Sequence, residues 1–219
     1  MKKFIKTISC VLFALVLSAG FVSAAEWISD FDSLMLGATK KIGIDFMGDK
    51  TAENKFFAIT EDPLNPSNHV LKLSCDGSVD KAGSVITRCM ALKGDYSGKT
   101  EISFKILVNS GRLQMYFRDS VGTEHNMIFF EATEEGKINF ANKTYTFDAS
   151  KWVSVKIVLD MKSEHTMTLY TDADNAYNGE LSQVASASLG RTFGDNYTNH
   201  TKENTTLRIG PMTAVSEVY

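Results

Sequence analysis

The sequence predicts an all-β protein, a two-sheet antiparallel sandwich that follows an N-terminal signal peptide. Three observations carry this prediction. Apolar and polar residues alternate with a period of two along most of the chain, as they do in strands that bury one face. No segment after residue 25 has the three-to-four spacing of a long amphipathic helix. The alternating runs are short and end in turns rich in Gly, Asn and Asp. Composition is that of a globular chain, with 43% hydrophobic, 22% charged and 11% aromatic residues in 219. Disorder, collagen and coiled coil are excluded on that basis. A net charge of −3, from 23 basic and 26 acidic side chains, provides no long-range attraction for nucleic acid, so none is expected as a partner.

The first segment is a targeting signal. Lys2, Lys3 and Lys6 precede an apolar run at 11–17 (VLFALVL), and small residues follow at 18–25 (SAGFVSAA). Val22 and Ala24 fit the −3 and −1 positions of a cut after Ala24, which makes 1–24 a signal peptide and 25–219 a single domain. The run is too short for a membrane span, and no later stretch approaches the roughly 20 apolar residues that a span needs. No Cys follows the small residues, which argues against a lipid anchor. Cleavage removes three lysines and no acidic residue, leaving 195 residues with a net charge of −6. The expected location is secreted, extracellular or at the cell surface.

Strands are expected in order at 27–31, 55–60, 69–75, 85–92, 100–108, 112–118, 126–131, 137–140, 152–160, 166–172, 181–189 and 206–210. The clearest is 100–108 (TEISFKILV), with Ile102, Phe104, Ile106 and Val108 on one face and Glu101, Ser103 and Lys105 on the other. Asn109, Ser110 and Gly111 then read as a hairpin loop leading into 112–118 (RLQMYFR). In 152–160, Val153, Val155, Ile157 and Leu159 point inward; in 166–172, Met167 and Leu169 do. Residues 37–54 and 192–204 read as loops. Val215 to Tyr219 begin an alternation that stops short of the five or six residues usual for a strand. The domain therefore reads as cut short inside its final strand, or as part of a longer product, with an exposed edge beside it.

Two cysteines follow the signal. Export permits a disulfide between Cys75 and Cys89. In a simple hairpin, however, Cys75 would face Ser84, and its parity with Leu71 and Leu73 also fits a core thiol.

Three stretches carry a family likeness: 61–73 (EDPLNPSNHVLKL), 152–170 (WVSVKIVLDMKSEHTMTLY) and 207–219 (LRIGPMTAVSEVY). The chain resembles the concanavalin A-like, or laminin-G-like, jelly-roll superfamily. That resemblance implies a jelly roll and a secreted, sugar-facing function. It implies no catalytic residue here. The Glu-x-Asp-x-x-Glu strand of the glucanase branch is absent, and so is the full Arg-x-Glu-x-Arg, Gln-x-His and Tyr-x-Lys set of the alginate-lyase branch. The nearest carboxylate cluster, Glu131, Glu134 and Glu135, straddles the end of the strand at 126–131 and a turn at Gly136, and reads as solvated. His125 with Tyr116 is the one pair that would suit lyase chemistry.

The candidate binding face is that of Arg112, Gln114, Tyr116 and Arg118, at alternate positions of one strand. Lys105 is expected to join them from the neighbouring hairpin strand; Trp152, Lys156 and Tyr170 are expected from others. Arg forks bind carboxylates and sulfates, and aromatic faces stack on sugar rings. The expected partner is therefore a poly- or oligosaccharide, and an acidic one in particular. No cofactor and no metal site is assigned. Calcium is the one alternative, in the loop 171–180 (TDADNAYNGE), where Asp172, Asp174, Asn175 and Asn178 crowd together; the same residues also favour a plain turn. The leading function is a non-catalytic carbohydrate-binding domain. Behind it stand a polysaccharide lyase or glycoside hydrolase with an unrecognised site, and a structural or adhesive surface domain.

Overall fold

The computed structural model describes residues 31, 35–37, 45–47, 57–77, 88–93, 98–118, 126–160, 163–189, 206–212 and 215–219. The expected signal peptide, most of the expected strand at 27–31, His125 and the expected loop at 192–204 lie outside the described residues. The side chains of Cys89 and Arg118 lie outside them as well.

The described residues form fifteen strands and are all-β, as predicted. In chain order these are β1 (Asp45–Met47), β2 (Phe57–Asp62), β3 (Asn65–Cys75), β4 (Arg88–Lys93), β5 (Lys99–Ile106), β6 (Val108–Ser110), β7 (Arg112–Arg118) and β8 (Asn126–Thr133). They continue with β9 (Lys137–Phe140), β10 (Lys143–Thr146), β11 (Val153–Asp160), β12 (Thr166–Thr171), β13 (Ser182–Ser188), β14 (Thr206–Met212) and β15 (Ser216–Val218). Their pairings are antiparallel and build three sheets rather than the two expected. The large sheet runs β1-β4-β14-β7-β8-β9-β10. A second runs β13-β12-β11-β5, and a third β2-β3-β15-β6.

Period-two patterning explains the second sheet directly. Val153, Val155, Ile157 and Leu159 of β11 are buried to 1% exposure or less. They stand in register with Ile106, Phe104 and Ile102 of β5 and with Leu169 and Met167 of β12. This apolar face packs on the large sheet, where the Phe104 ring meets Phe130 of β8 edge-on, with centroids 5.6 Å apart. Phe129, Phe130, Ile138 and Phe140 fill the large sheet's side of the core. Each fully buried side chain of this size contributes about 1.5–3 kcal/mol.

The expected hairpin between residues 100–108 and 112–118 does not form. Ile106, Leu107 and Val108 are all buried, so the alternation breaks at Leu107. The chain leaves the second sheet there, runs as β6 in the third sheet, and enters the large sheet as β7. Gly111, at φ +70°, makes the second change of direction. A Cβ there would lie 2.2 Å from the Ser216 hydroxyl, so glycine is required at this close approach. Two strands escaped the pattern. β1 is three residues long within an expected loop. β10 is exposed at Lys143, Thr144 and Thr146, so it carries no apolar alternation.

The short final strand is interior. β15 pairs with β3 on one side and β6 on the other, and Tyr219 exchanges backbone hydrogen bonds with Leu107 at 3.0 and 2.9 Å. Cys75 ends β3 as a buried free thiol opposite Ser216, so the core-thiol reading holds and the Cys75–Cys89 disulfide does not form.

A polar cluster fastens this last strand. The Glu217 carboxylate is ion-paired with Lys72. It also accepts hydrogen bonds from the Tyr219 hydroxyl at 2.6 Å and from the Asn109 amide at 3.0 Å. The Lys72 hydrogen bond, followed by that of Tyr219, holds the Glu217 carboxyl below its ordinary value of 4.5. Burial alone would lower the Lys72 ammonium, but the hydrogen bond and charge of Glu217, with the Tyr219 contribution, raise it above 10.5. A depressed carboxyl stabilises the fold above its unfolded pKa and loses that contribution as pH falls through the folded value; a raised ammonium stabilises below 10.5 and loses it at higher pH. The melting-temperature gap between the native protein and Glu217→Gln is therefore expected to be flat through neutral pH and to shrink below about pH 4.5. A gap unchanged at pH 3 would contradict this role for the cluster.

Candidate functional site

The outward face of the large sheet carries a row of polar side chains that crosses four strands. Gln114 of β7 pairs with Glu131 of β8, Glu131 with Asn139 of β9, and Asn139 with Thr144 of β10. Directly opposite residues share a face, and here they are hydrogen-bonded in sequence. Glu131 is the hub. Its Oε2 accepts from the Gln114 amide and lies 3.1 Å from Arg112 Nη1, and its Oε1 accepts from the Asn139 amide at 2.8 Å. The Thr144 hydroxyl donates to Asn139 Oδ1 at 2.8 Å. The Glu131 side chain is 16% exposed. It is thus largely withdrawn from water, and its partners compensate its charge.

A β-bulge sets the shape of this face. Met115 pairs with Phe130 but Tyr116 pairs with Ile128, so Phe129 is an extra residue in β8. Phe129 and Phe130 are both buried, while Ile128 stands on the outer face at 43% exposure. Beside it the β9–β10 turn passes through Ala141 and Asn142, both with positive φ, at 53° and 60°. Such angles give a two-residue hairpin the twist of its strands. Bulge and turn border a cleft of about 360 Å³. It is lined by Gln114, Ile128, Glu131 and Asn139 together with Asn142, Lys143 and Thr144 of the turn and β10.

The expected binding face is only partly assembled. Arg112 and Gln114 meet at Glu131. Tyr116 lies on the same face but is 2% exposed, opposite Arg208 of β14. At that exposure it offers no ring to a ligand. Arg118 is in β7, paired with Thr206 and Asn126. Lys105 is not part of this face. It is exposed on β5 opposite Ser154, in the second sheet. Because the apolar faces of the two sheets pack together, their outer faces lie on opposite sides of the molecule. Lys156 and Tyr170 share the second sheet's outer face, the ammonium 4.7 Å from the ring centroid. The Trp152 indole N–H is spent on Asp62 Oδ1 at 3.0 Å.

Glu131 lies in the strand expected at 126–131, but the reading of the carboxylate cluster as solvated is corrected for it. Glu134 and Glu135 are exposed in the turn, where Glu134 accepts the Gly111 N–H at 2.7 Å. Glu131 belongs to β8 and organises the row. Asn139 and Thr144 had no signal in the sequence, because their importance comes from register with Glu131.

The acidic loop after β12 is a knot of hydrogen bonds. Asp172 is 1% exposed. Its carboxylate accepts the N–H groups of Ser154 at 2.8 Å and Gly179 at 3.0 Å, and its carbonyl those of Asn175 and Tyr177. The Asn175 amide donates to Ser182 Oγ at 2.9 Å and to the Glu180 carbonyl. Asp172's oxygens thus serve backbone donors, as in a turn. Among the described residues no group of three or more His, Cys, Asp or Glu could hold a metal ion.

No family model matches the chain, and no curated protein matches it. Among solved structures, one similar chain is a protein of unknown function from Shewanella oneidensis MR-1, with 16% identity and a TM-score of 0.45. The alignment covers 94% of this chain and 88% of that one. Another is a conserved carbohydrate esterase from the Shiga toxin-encoding bacteriophage phi24B, with 11% identity and a TM-score of 0.47, covering 83% of this chain and 88% of that one. Likenesses at this level carry no argument about activity. Among the described residues no helix is long and apolar enough to cross a membrane.

Proposed function

We propose that this protein is an exported, carbohydrate-binding jelly-roll domain that catalyses no reaction. The supporting observation is the row Gln114–Glu131–Asn139–Thr144, which lies along a cleft of about 360 Å³. Sugar hydroxyls both donate and accept hydrogen bonds, and a fixed row of amide, carboxylate and hydroxyl groups offers both. The row is preorganised, so little side-chain freedom is lost when a ligand settles on it. Among the described residues lining the cleft, Glu131 is the one carboxylate. Glycoside hydrolysis ordinarily needs a second carboxyl group flanking the scissile bond, so binding is favoured over cleavage. Interleaving of distant segments, with β14 between β4 and β7 and β15 between β3 and β6, supports the jelly-roll reading.

The test is a glycan microarray probed with the purified protein. Retention on at least one defined oligosaccharide, without release of reducing ends or unsaturated products, is expected. Binding to none, or steady product release, would contradict the proposal. Export is tested separately by mass spectrometry of the secreted protein, which is expected to begin at Ala25 or Glu26; a secreted chain that retains Met1 would contradict it.

A further inference from the structure

We infer that the glycan bound in the large-sheet cleft is neutral and hydroxyl-rich rather than uronic or sulfated, an inference that rests on the carbohydrate-binding reading above. The charges decide it. Of the charged residues that line the cleft, Glu131 is at the centre of the row and Lys143 is exposed at the edge. Arg112, the guanidinium fit to clasp a ligand carboxylate, does not line the cleft and is committed to Glu131 at 3.1 Å. Lys105 and Lys156, which with it made an acidic ligand attractive in the sequence, stand on the far side of the molecule. An acidic sugar entering the cleft would meet the Glu131 charge at short range. Among the described residues the cation that lines the cleft is Lys143, at its edge, so the cleft holds no guanidinium to offset the central Glu131 charge.

A neutral ring faces no such conflict. Glu131 receives three donors from Arg112, Gln114 and Asn139, and a carboxylate has about four acceptor sites. One acceptor position is left for a ligand hydroxyl. The Gln114 carbonyl, the second N–H of the Asn139 amide and the Thr144 hydroxyl extend the set in both senses. Ile128, 43% exposed, supplies an apolar patch for the C–H face of a ring. The phenylalanines of the lining, Phe129, Phe130 and Phe140, are each buried to 2% exposure or less, so ring stacking is not the mode of contact among the described residues.

The experiment is calorimetric titration of the purified protein with neutral gluco-, xylo- and manno-oligosaccharides and with oligogalacturonate and a sulfated oligosaccharide of matched length. A neutral glycan is expected to bind at least tenfold tighter than the acidic ones. Glu131→Gln is expected to weaken it by about tenfold, as for one central contact. Thr144→Val, at the exposed end of the row, keeps the sign readable if Glu131→Gln does not fold, and is expected to weaken neutral binding several-fold. Lys105→Ala, on the opposite face, is expected to leave binding unchanged. A gain in acidic-glycan affinity on Glu131→Gln is expected, because the charge that excludes them is removed. Tighter binding of the acidic glycans than of the neutral ones by the native protein, or no such gain, would overturn the neutral-ligand inference and leave carbohydrate binding standing. Binding of no glycan would overturn the carbohydrate reading itself, and this inference with it.

Discussion

Asp172→Ala is expected to lower the unfolding free energy by about 3 kcal/mol, because two N–H groups lose a charged acceptor. Those groups belong to Ser154 and Gly179, on separate segments that the carboxylate ties together. Asp172 is 1% exposed, so water has poor access to replace it. Asp172→Asn is expected to cost less than Ala, since the amide oxygen still serves one donor while its NH₂ faces the other. Urea titration reads both. A loss below about 1 kcal/mol for Asp172→Ala would mean that the loop repacks and that the carboxylate is not its anchor. Adding calcium to the native protein is expected to leave the midpoint unchanged, because these oxygens are already engaged by N–H donors.

Gly136→Ala has an effect of similar size and a different origin. Gly136 sits at φ +69° in the three-residue β8–β9 turn, where its carbonyl accepts the Phe147 N–H at 2.8 Å. A Cβ there would fall 2.2 Å from the Phe147 carbonyl oxygen. The left-handed backbone costs an alanine about 1 kcal/mol, and a clash with backbone adds about 1–3 kcal/mol. The expected loss is about 3 kcal/mol. Gly179→Ala isolates the first contribution: its φ is +88°, but a Cβ would meet nothing within 4 Å. It is expected to cost about 1 kcal/mol. Equal losses in the two variants would contradict the steric account. The β8–β9 turn also sets the register of Glu131 with Asn139, so Gly136→Ala is expected to weaken ligand binding as well.

The second sheet could be read from the chain because each strand buries one face and the period of two survives intact. Val153, Val155, Ile157 and Leu159 are inward, and so are Met167 and Leu169, as patterning requires. The passage from β5 to β7 could not be read. Asn109, Ser110 and Gly111 look like any hairpin loop, and the close approach of Val215 and Ser216, more than a hundred residues away, explains why Gly111 is needed. The binding face failed for the same kind of reason. Gln114 and Arg112 were identified by their spacing, but Tyr116 was lost to burial beside β14, and Lys105 to a different sheet. Glu131 was misread because one strand shows only its own neighbours. Its meaning comes from Gln114 on one side and Asn139 on the other, and cross-strand register is set by turns and bulges rather than by composition.

The central claim is that the row from Gln114 to Thr144 is the ligand-contacting surface. Side-chain amide resonances of the ¹⁵N-labelled protein, followed during titration with a neutral oligosaccharide that it retains, test this most directly. The largest shifts are expected at the Gln114 and Asn139 amides and at the backbone of the Ala141–Asn142 turn, with Lys105, Lys156 and Tyr170 unmoved. Shifts confined to the Lys105–Lys156 face, with Gln114 and Asn139 unchanged, would contradict it.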